Sequence, residues 1–572
     1  MNQPAIEWVG LAGEPLRGDN PKWQPRPIAL QTNSSQSHNA IRCRRLRRRE
    51  VPSVNVAIVH FHLNRGGVAQ AVWNHLLALH GLQNGLPGTV VLVHGGRRQG
   101  FPTNWAECFS KFKIAEAVIP GLDYDEGIAD EPRPNELAEE IGRTLGKFGC
   151  SPEDTLLHVH NHALGKNVSL PGALKQLAVM GYGLLLQVHD FVEDFRPANY
   201  RRMQVAFAAR NPQHLSEILY PQSPHIHYAV LNGRDLAILL NAGVHSSRLH
   251  LLPNAVLPLH ENAARKSARE QLALRFGVGC QERYVLSPVR GIRRKNLGEV
   301  LLWSAAAPPE TAFGLTLPPL NPAEQTRYAF WKSLAQQLNL RCLFEVGGDS
   351  GLGLAENFAA CDRILTTSVA EGFGFAFLEP NLAGCVVIGR DLPEITADFV
   401  AEGLTFGWLR ERMQIPKVWI DRDWLQEGYA QSFNSTLQAY GRTPLSCSEL
   451  RTGIDAKVQE DCFDFAALTV DLQASVLRRV AGNGDDKEVL LEKNPWITES
   501  ICSDNNVSRC EVIRNDNIIR QSYSLSQSGA RLANIYHQIS KVDRIMSNDR
   551  LEHGDRMVSD FVNLNRFNPV RV

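Results

Sequence analysis

From Val54 onward, short apolar runs rich in β-branched residues alternate with stretches whose apolar residues recur at helical spacing. This alternation restricts the fold more than any other feature of the chain. Strands of a parallel sheet read as continuous apolar runs because helices cover both faces, so the pattern predicts βαβ units. Residues 54–61 read as the first strand. Gly66-Gly67 then turns into a helix over 68–80, where Val72, Leu76 and Leu79 share one face. Further buried strands are expected at 89–93, 155–160, 184–189 and 227–231. A polar, charged segment follows Leu252-Pro253-Asn254, and a second series opens with a strand at 284–287. It continues through a helix at 297–304, strands at 343–346 and 364–366, a helix at 375–383 and a strand at 385–388. With 572 residues, the chain exceeds the roughly 250–300 residues that one core organises. Two doubly wound, Rossmann-like α/β domains are expected, at 51–260 and 261–480, facing a central cleft. A helical extension at 481–572 is expected to pack back across them.

Composition narrows the partners. Sixty Lys and Arg balance sixty Asp and Glu, so there is no global field to hold a nucleic acid, and a charged ligand must be met locally. Eleven cysteines are scattered singly with no C-x-x-C pair, which indicates neither a disulfide framework nor a zinc ribbon. No apolar run approaches the roughly 20 residues that cross a bilayer, so only peripheral membrane contact is left open. Glu7, Glu14 and Asp19 occur in an N-terminus without an apolar core segment, unlike a secretory signal. The expected location is cytoplasmic. Residues 1–50 end in a basic run containing Arg42, Arg44, Arg45, Arg47, Arg48 and Arg49, and read as a disordered, solvated arm because like charges extend a chain.

Three stretches carry chemistry. Glu371-Gly372-Phe373-Gly374-Phe375-Ala376-Phe377-Leu378-Glu379 follows a buried strand. A helix opening near Gly374 would offer free N–H groups and the positive end of its dipole to an anion. Glu371 precedes that helix, where it can accept bonds from sugar hydroxyls; Glu379 lies on its second turn, where it can hold two ribose hydroxyls. The second stretch, Arg290-Gly291-Ile292-Arg293-Arg294-Lys295, places cations at the carboxyl edge of a strand, where open α/β sheets bind ligands. Such donors favour a departing diphosphate, whose charge grows as its glycosidic bond breaks. The third, His62-Leu63-Asn64-Arg65-Gly66-Gly67, lets the backbone approach a phosphate at the start of a helix.

Together these stretches resemble the retaining glycosyltransferases of the GT-B fold, family 4 type. Glu371 and Glu379 resemble that family's E-x7-E motif, Arg290 and Lys295 its R-x4-K element, and Gly66-Gly67 its glycine loop. Leu252-Pro253-Asn254-Ala255-Val256 resembles its P-N-G-V turn, and Leu392-Pro393-Glu394-Ile395 the stretch after the last strand. The resemblance spans about residues 54–400, with a looser echo at 523–536. It implies transfer of a sugar from a nucleotide diphosphate sugar to a hydroxyl acceptor, with retention, and with neither metal nor cofactor. Arg290 and Lys295 would then bind the diphosphate, Glu371 the sugar and Glu379 the ribose. His189 resembles the family's histidine beside the donor sugar, and Gly66, Gly67, Gly372, Phe373, Gly374 and Phe375 complete the donor site.

Some features depart from the pattern or stand outside it. Pro380 follows Glu379 inside the expected helix, where it removes a hydrogen bond. His158, His160 and His162 alternate, and are expected to line the acceptor side of the cleft rather than hold a metal. Asp123-Tyr124-Asp125 and Asp421-Arg422-Asp423 have D-x-D spacing but read as chance patterns. Segments 197–226 and 486–518 receive no role. The alternatives kept open are an epimerase or phosphorylase of related fold and a non-catalytic nucleotide-sugar-binding protein.

Overall fold

The computed structural model describes residues 54–125, 132–258, 263–348, 351–503 and 506–572, except the side chains of Asn506 and Val507. The basic arm at 1–50 lies outside the described residues. Seven strands form the first sheet: β1 (Asn55–Val59), β2 (Thr89–His94), β3 (Lys113–Val118), β4 (Thr155–His160), β5 (Gly183–Val188), β6 (Ile226–Val230) and β7 (Leu249–Leu251). Their order is β3-β2-β1-β4-β5-β6-β7 and every pairing is parallel. The second sheet holds β8 (Arg283–Arg290), β9 (Thr311–Leu317), β10 (Cys342–Phe344), β11 (Arg363–Thr366), β12 (Val386–Arg390) and β13 (Leu409–Arg410). It runs β10-β9-β8-β11-β12-β13, again all parallel. These are the two Rossmann-like sheets that the GT-B resemblance implies. In each, the strand order reverses once, between β1 and β4 and between β8 and β11. Ligands of open α/β sheets bind outside the carboxyl ends of the strands at such reversals.

The alternating pattern located β1, β2, β4, β5, β6, β8, β10, β11 and β12, and missed β3, β7, β9 and β13. β3 is exposed at both ends and mostly half-buried over its middle, so it lacks the continuous apolar run of a doubly covered strand. β9 is buried but contains Gly314, which weakens its strand signature. That glycine is required, because an added Cβ would lie 2.2 Å from the Tyr284 hydroxyl. The charged segment after residue 258 contains a helix, Arg265–Phe276, that buries only Ala268 and Leu272. So narrow an apolar stripe leaves little periodicity to read.

The C-terminal part reaches both sheets. Helix Asn506–Ser522 packs on helix Phe375–Leu382, while helix Leu525–Ser540 packs on helix Gly67–Gly81, β4 and β5. The chain passes between them at Tyr523, whose carbonyl accepts from the Val256 N–H at 2.8 Å. Beyond them, Arg571 pairs with Asp194 at 3.0 Å, and Arg327 donates to the Val572 carbonyl at 3.0 Å.

A small two-stranded antiparallel sheet, β14 (Gln414–Pro416) with β15 (Cys462–Asp464), is tied to the second sheet by one buried cation. Arg390, 4 % exposed, meets Glu299 at 2.6 Å and Asp464 at 2.8 Å. Against the push of burial, Arg390 lowers the pKa of Asp464. Removing the shared cation would leave two carboxylates facing each other without compensation. Arg390→Met is expected to cost about 3–5 kcal/mol, read as a lower urea midpoint; a loss below about 1 kcal/mol would show that the pairs carry no such weight.

Candidate functional site

The three stretches singled out above emerge at the two strand-order reversals. Residues 60–67 follow β1, residues 291–296 follow β8, and residues 367–374 follow β11. The last two are bound to each other through the backbone. The Val369 N–H donates to the Arg294 carbonyl at 2.9 Å, and the Thr367 hydroxyl to the Lys295 carbonyl at 2.7 Å. These bonds place Glu371 against Arg294 Nη1 at 2.5 Å and against Lys295 Nζ. Burial would raise the Glu371 pKa, but Lys295 and Arg294 outweigh it and bring the carboxyl down to about 2. Lys295 shifts downward because burial outweighs the pull of Glu371. The outcome is a fixed carboxylate with two cations on it, an acceptor for hydroxyl groups that stays ionised at any physiological pH.

Helix Phe375–Leu382 begins directly after this loop. Gly374 caps it with φ 98° and no side-chain hydrogen bond, leaving its first N–H groups free of a capping side chain. Only glycine suits the position, since an added Cβ would also come within 2.8 Å of Ile395 Cγ2. Phe373 turns its ring into a cluster with Phe375, Phe399 and Tyr523, so the ring is unavailable to a ligand. Glu379 sits on the second turn as expected, and the helix ends two residues after Pro380. Burial pushes the Glu379 carboxyl up to about 7, with Lys295 opposing.

Across from this loop stand residues of the first sheet. An added Cβ on Gly372 would lie 3.2 Å from the His189 carbonyl. The Asn232 amide donates to the Gly372 carbonyl at 2.7 Å, and the Gly233 N–H to Asp398 at 2.6 Å. His189 directly follows β5, and its N–H donates to Asn161 Oδ1 at 2.8 Å. Its Nε2 meets His160 Nδ1 at 2.8 Å. Burial lowers the His189 pKa to about 4, so at neutral pH it is an uncharged imidazole rather than a cation. Asp190 feels Arg196 and Arg294, which depress its pKa against the push of burial; Arg196 lies 2.6 Å away.

The glycine loop supplies the remaining charge. Gly66 is extended at φ 176° and caps helix Gly67–Gly81 without a side-chain hydrogen bond. A Cβ on Gly67 would meet nothing within 4 Å, and one on Gly66 only the Asn64 carbonyl at 3.8 Å. Neither packing nor backbone conformation therefore requires glycine at these two positions. Arg290 donates to the Pro318 carbonyl at 2.9 Å. Its pKa is lowered by burial and then by Arg65, so the guanidinium of one sheet's loop acts on that of the other. Among the described residues neither has a carboxylate partner.

Several side chains sit elsewhere than the sequence suggested. His158, His160 and His162 are buried and line no surface that an acceptor can reach. His158 and His160 stack at 4.5 Å, whereas His162 lies past the strand and meets the Leu219 carbonyl at 2.8 Å. His75, from helix Gly67–Gly81, takes the third place in the group. The D-x-D acids are engaged: Asp123 with Arg97 at 2.6 Å, Asp125 with Arg202 at 2.9 Å, Asp423 with Arg451 at 3.4 Å, and Asp421 as a helix cap. Segment 197–226 holds helices Pro197–Ala206 and Pro212–Leu219. Asn161, Asp190 and Asn232 carry no signal in the sequence, and Arg294 is legible there only as one cation of the basic loop, not as a partner of Glu371. Asn161 has φ 60°, but nothing in its sequence surroundings signals that.

No family model matches the chain, and no curated protein does. Among solved structures it is similar to sucrose-phosphate synthase from Thermosynechococcus elongatus, with 14% identity over 85% of this chain and 98% of that one, at a TM-score of 0.49. It is also similar to Anabaena HepE in complex with UDP, with 13% identity, 84% and 99% coverage and a TM-score of 0.48. WaaG, a glycosyltransferase involved in lipopolysaccharide biosynthesis, gives 13% identity, 82% and 99% coverage and a TM-score of 0.43. Among the described residues no helix is long and apolar enough to cross a membrane.

The raised Glu379 pKa has a signed consequence. The folded protein holds this proton more tightly than the unfolded chain, so its contribution to stability is complete below about pH 4.5 and is lost as pH rises through about 7. Glu379→Gln, which cannot ionise, is expected to gain in Tm relative to the wild type between about pH 5 and about pH 8. A Tm difference independent of pH across that window would contradict the shift.

Proposed function

We propose that the chain is a retaining glycosyltransferase that moves a sugar from a nucleotide diphosphate sugar to a hydroxyl acceptor. What carries this reading is that Arg65 and Arg290, on loops of separate sheets, lie within electrostatic reach of each other, and among the described residues neither is paired with a carboxylate. Like charges within reach of each other are disfavoured without a counter-charge, and a pyrophosphate is an anion of suitable charge. Gly66 and Gly67 support it, since their missing side chains leave open space at one of those helix starts.

In this reading Arg290 and Lys295 hold the diphosphate, and the starts of helices Gly67–Gly81 and Phe375–Leu382 add their free N–H groups. As the glycosidic bond breaks, negative charge grows on the leaving phosphate, and donors already fixed in place stabilise it without reorganisation. Glu371, kept ionised by Lys295 and Arg294, accepts hydroxyl groups of the sugar. Neutral His189 offers a hydrogen bond beside it and cannot serve as a charged acid at neutral pH. With retention, the acceptor approaches from the side the diphosphate leaves, and the departing phosphate oxygen takes the acceptor's proton. Glu379 grips the ribose hydroxyls. These roles require no metal at the reacting atoms, because the side-chain cations perform the charge stabilisation.

The test begins with a thermal-shift screen of UDP-, GDP- and ADP-sugars, since a ligand that binds the native state raises Tm. The effective donor is then incubated with the protein, and release of the nucleoside diphosphate is followed. Lys295→Ala is expected to retain the wild-type fold by circular dichroism and to lose roughly 100-fold or more in kcat. Arg290→Ala should weaken the donor's thermal shift. Unchanged turnover in Lys295→Ala, or no stabilisation by any nucleotide sugar, would overturn the reading. A donor consumed without a new glycoside or free sugar would favour epimerase chemistry instead.

A further inference from the structure

Beneath this site lies a group of histidines that transfer does not use. β4 carries His158 and His160 two residues apart, so they share a face of the sheet, and helix Gly67–Gly81 lays His75 over them. Ring centroids are 5.2 Å apart for His75 and His158, 5.5 Å for His75 and His160, and 4.5 Å for His158 and His160. One nitrogen of each ring lies within 4.8 Å of the other two. The three residues are 1 %, 0 % and 0 % exposed. Both nitrogens of His75 and Nε2 of His160 have no hydrogen-bond partner. Buried polar atoms are nearly always paired, so an unpartnered ring on His75 and an unpartnered nitrogen on His160, within reach of each other and of His158, indicate a missing occupant.

We infer that His75, His158 and His160 bind a single divalent transition-metal ion of the zinc class, buried behind the cleft. Three neutral imidazoles suit zinc, which takes nitrogen ligands at about 2.0–2.1 Å. Small rotations of the rings bring the nitrogens to that distance. His158 is already oriented from behind, with Nε2 2.8 Å from Gln187 Oε1, the kind of support that fixes a ligating histidine. Its Nδ1 meets the Tyr536 hydroxyl at 2.9 Å. On binding, Nδ1 exchanges that bond for the ion, and the hydroxyl is left beside the fourth position, which a water can fill.

The consequence reaches the cleft. His160 ligates through Nε2, so its proton must sit on Nδ1 and be donated to His189 Nε2, 2.8 Å away. His189 then carries its own proton on Nδ1. The ion acts at a distance from the reacting atoms: it staples helix Gly67–Gly81 to β4 and sets the tautomer of a histidine in the proposed site. The inference does not depend on what that site does.

Tag-free full-length protein from zinc-supplemented medium is passed over chelating resin, and its metal content is measured by mass spectrometry. One zinc per chain is expected, falling to background in His75→Gln. His250→Gln, at the separate, partly buried pair of His227 and His250, should keep its full complement. Metal-free wild type would mean that the nitrogens hold a trapped water and would overturn the site, as would a zinc-replete His75→Gln. If His75→Gln does not fold, cobalt loading of the wild type decides. Visible bands of a tetrahedral, nitrogen-ligated ion without thiolate charge transfer support the site, and their absence rejects it.

Discussion

The cluster of Glu371 with Lys295 and Arg294 organises everything around it. The carboxylate is 8 % and the lysine 12 % exposed, so each charge depends on the other for solvation. Because the two cations stand on the loop after β8 and the acid on the loop after β11, the ion pairs join the loops on either side of the strand-order reversal. Backbone bonds from Val369 and Thr367 seal the same junction. Gly372, next to Glu371, is thereby held where it meets His189 of the first sheet. The buried charge cluster and the missing side chain thus act at this point together with the Asn232–Gly372 and Gly233–Asp398 bonds.

The first sheet contributes a different kind of order. Its cleft-side floor is a column of imidazoles, His75, His158, His160 and His189, with centroids of neighbouring rings 4.5 to 5.5 Å apart. Burial keeps the pKa values of all four low. Uncharged imidazoles stack without repulsion, and each offers one donor and one acceptor. The column therefore transmits orientation rather than charge, from Tyr536 in the C-terminal part through His158 and His160 to His189. Helix Leu525–Ser540, which carries Tyr536, is in this way connected to the histidines behind the cleft.

Much of the site was legible along the chain because its parts are local. A glycine loop between a strand and a helix, an arginine and a lysine five positions apart, and two glutamates eight positions apart each need only their own loop to be recognised. Their place at the ends of β1, β8 and β11 follows from the alternation of strands and helices. The histidines show the opposite case. His158 and His160 were visible as an alternating pair, but His75 joins them from a helix in an earlier βα unit, and His162 leaves them by lying one residue beyond the turn at Asn161. No spacing in the sequence encodes that exchange.

The sequence by itself determined the fold class, the order of the units and the chemical types at the cleft, because strand and helix periodicity and loop composition are properties of neighbouring residues. Only the tertiary structure decided which charges neutralise each other and which do not. Arg294 and Lys295 pair with Glu371, whereas Arg290 has no carboxylate partner among the described residues and feels the charge of Arg65. That division depends on distances of a few ångströms between loops far apart in the chain, over which Coulomb energies change steeply and to which residue order is blind.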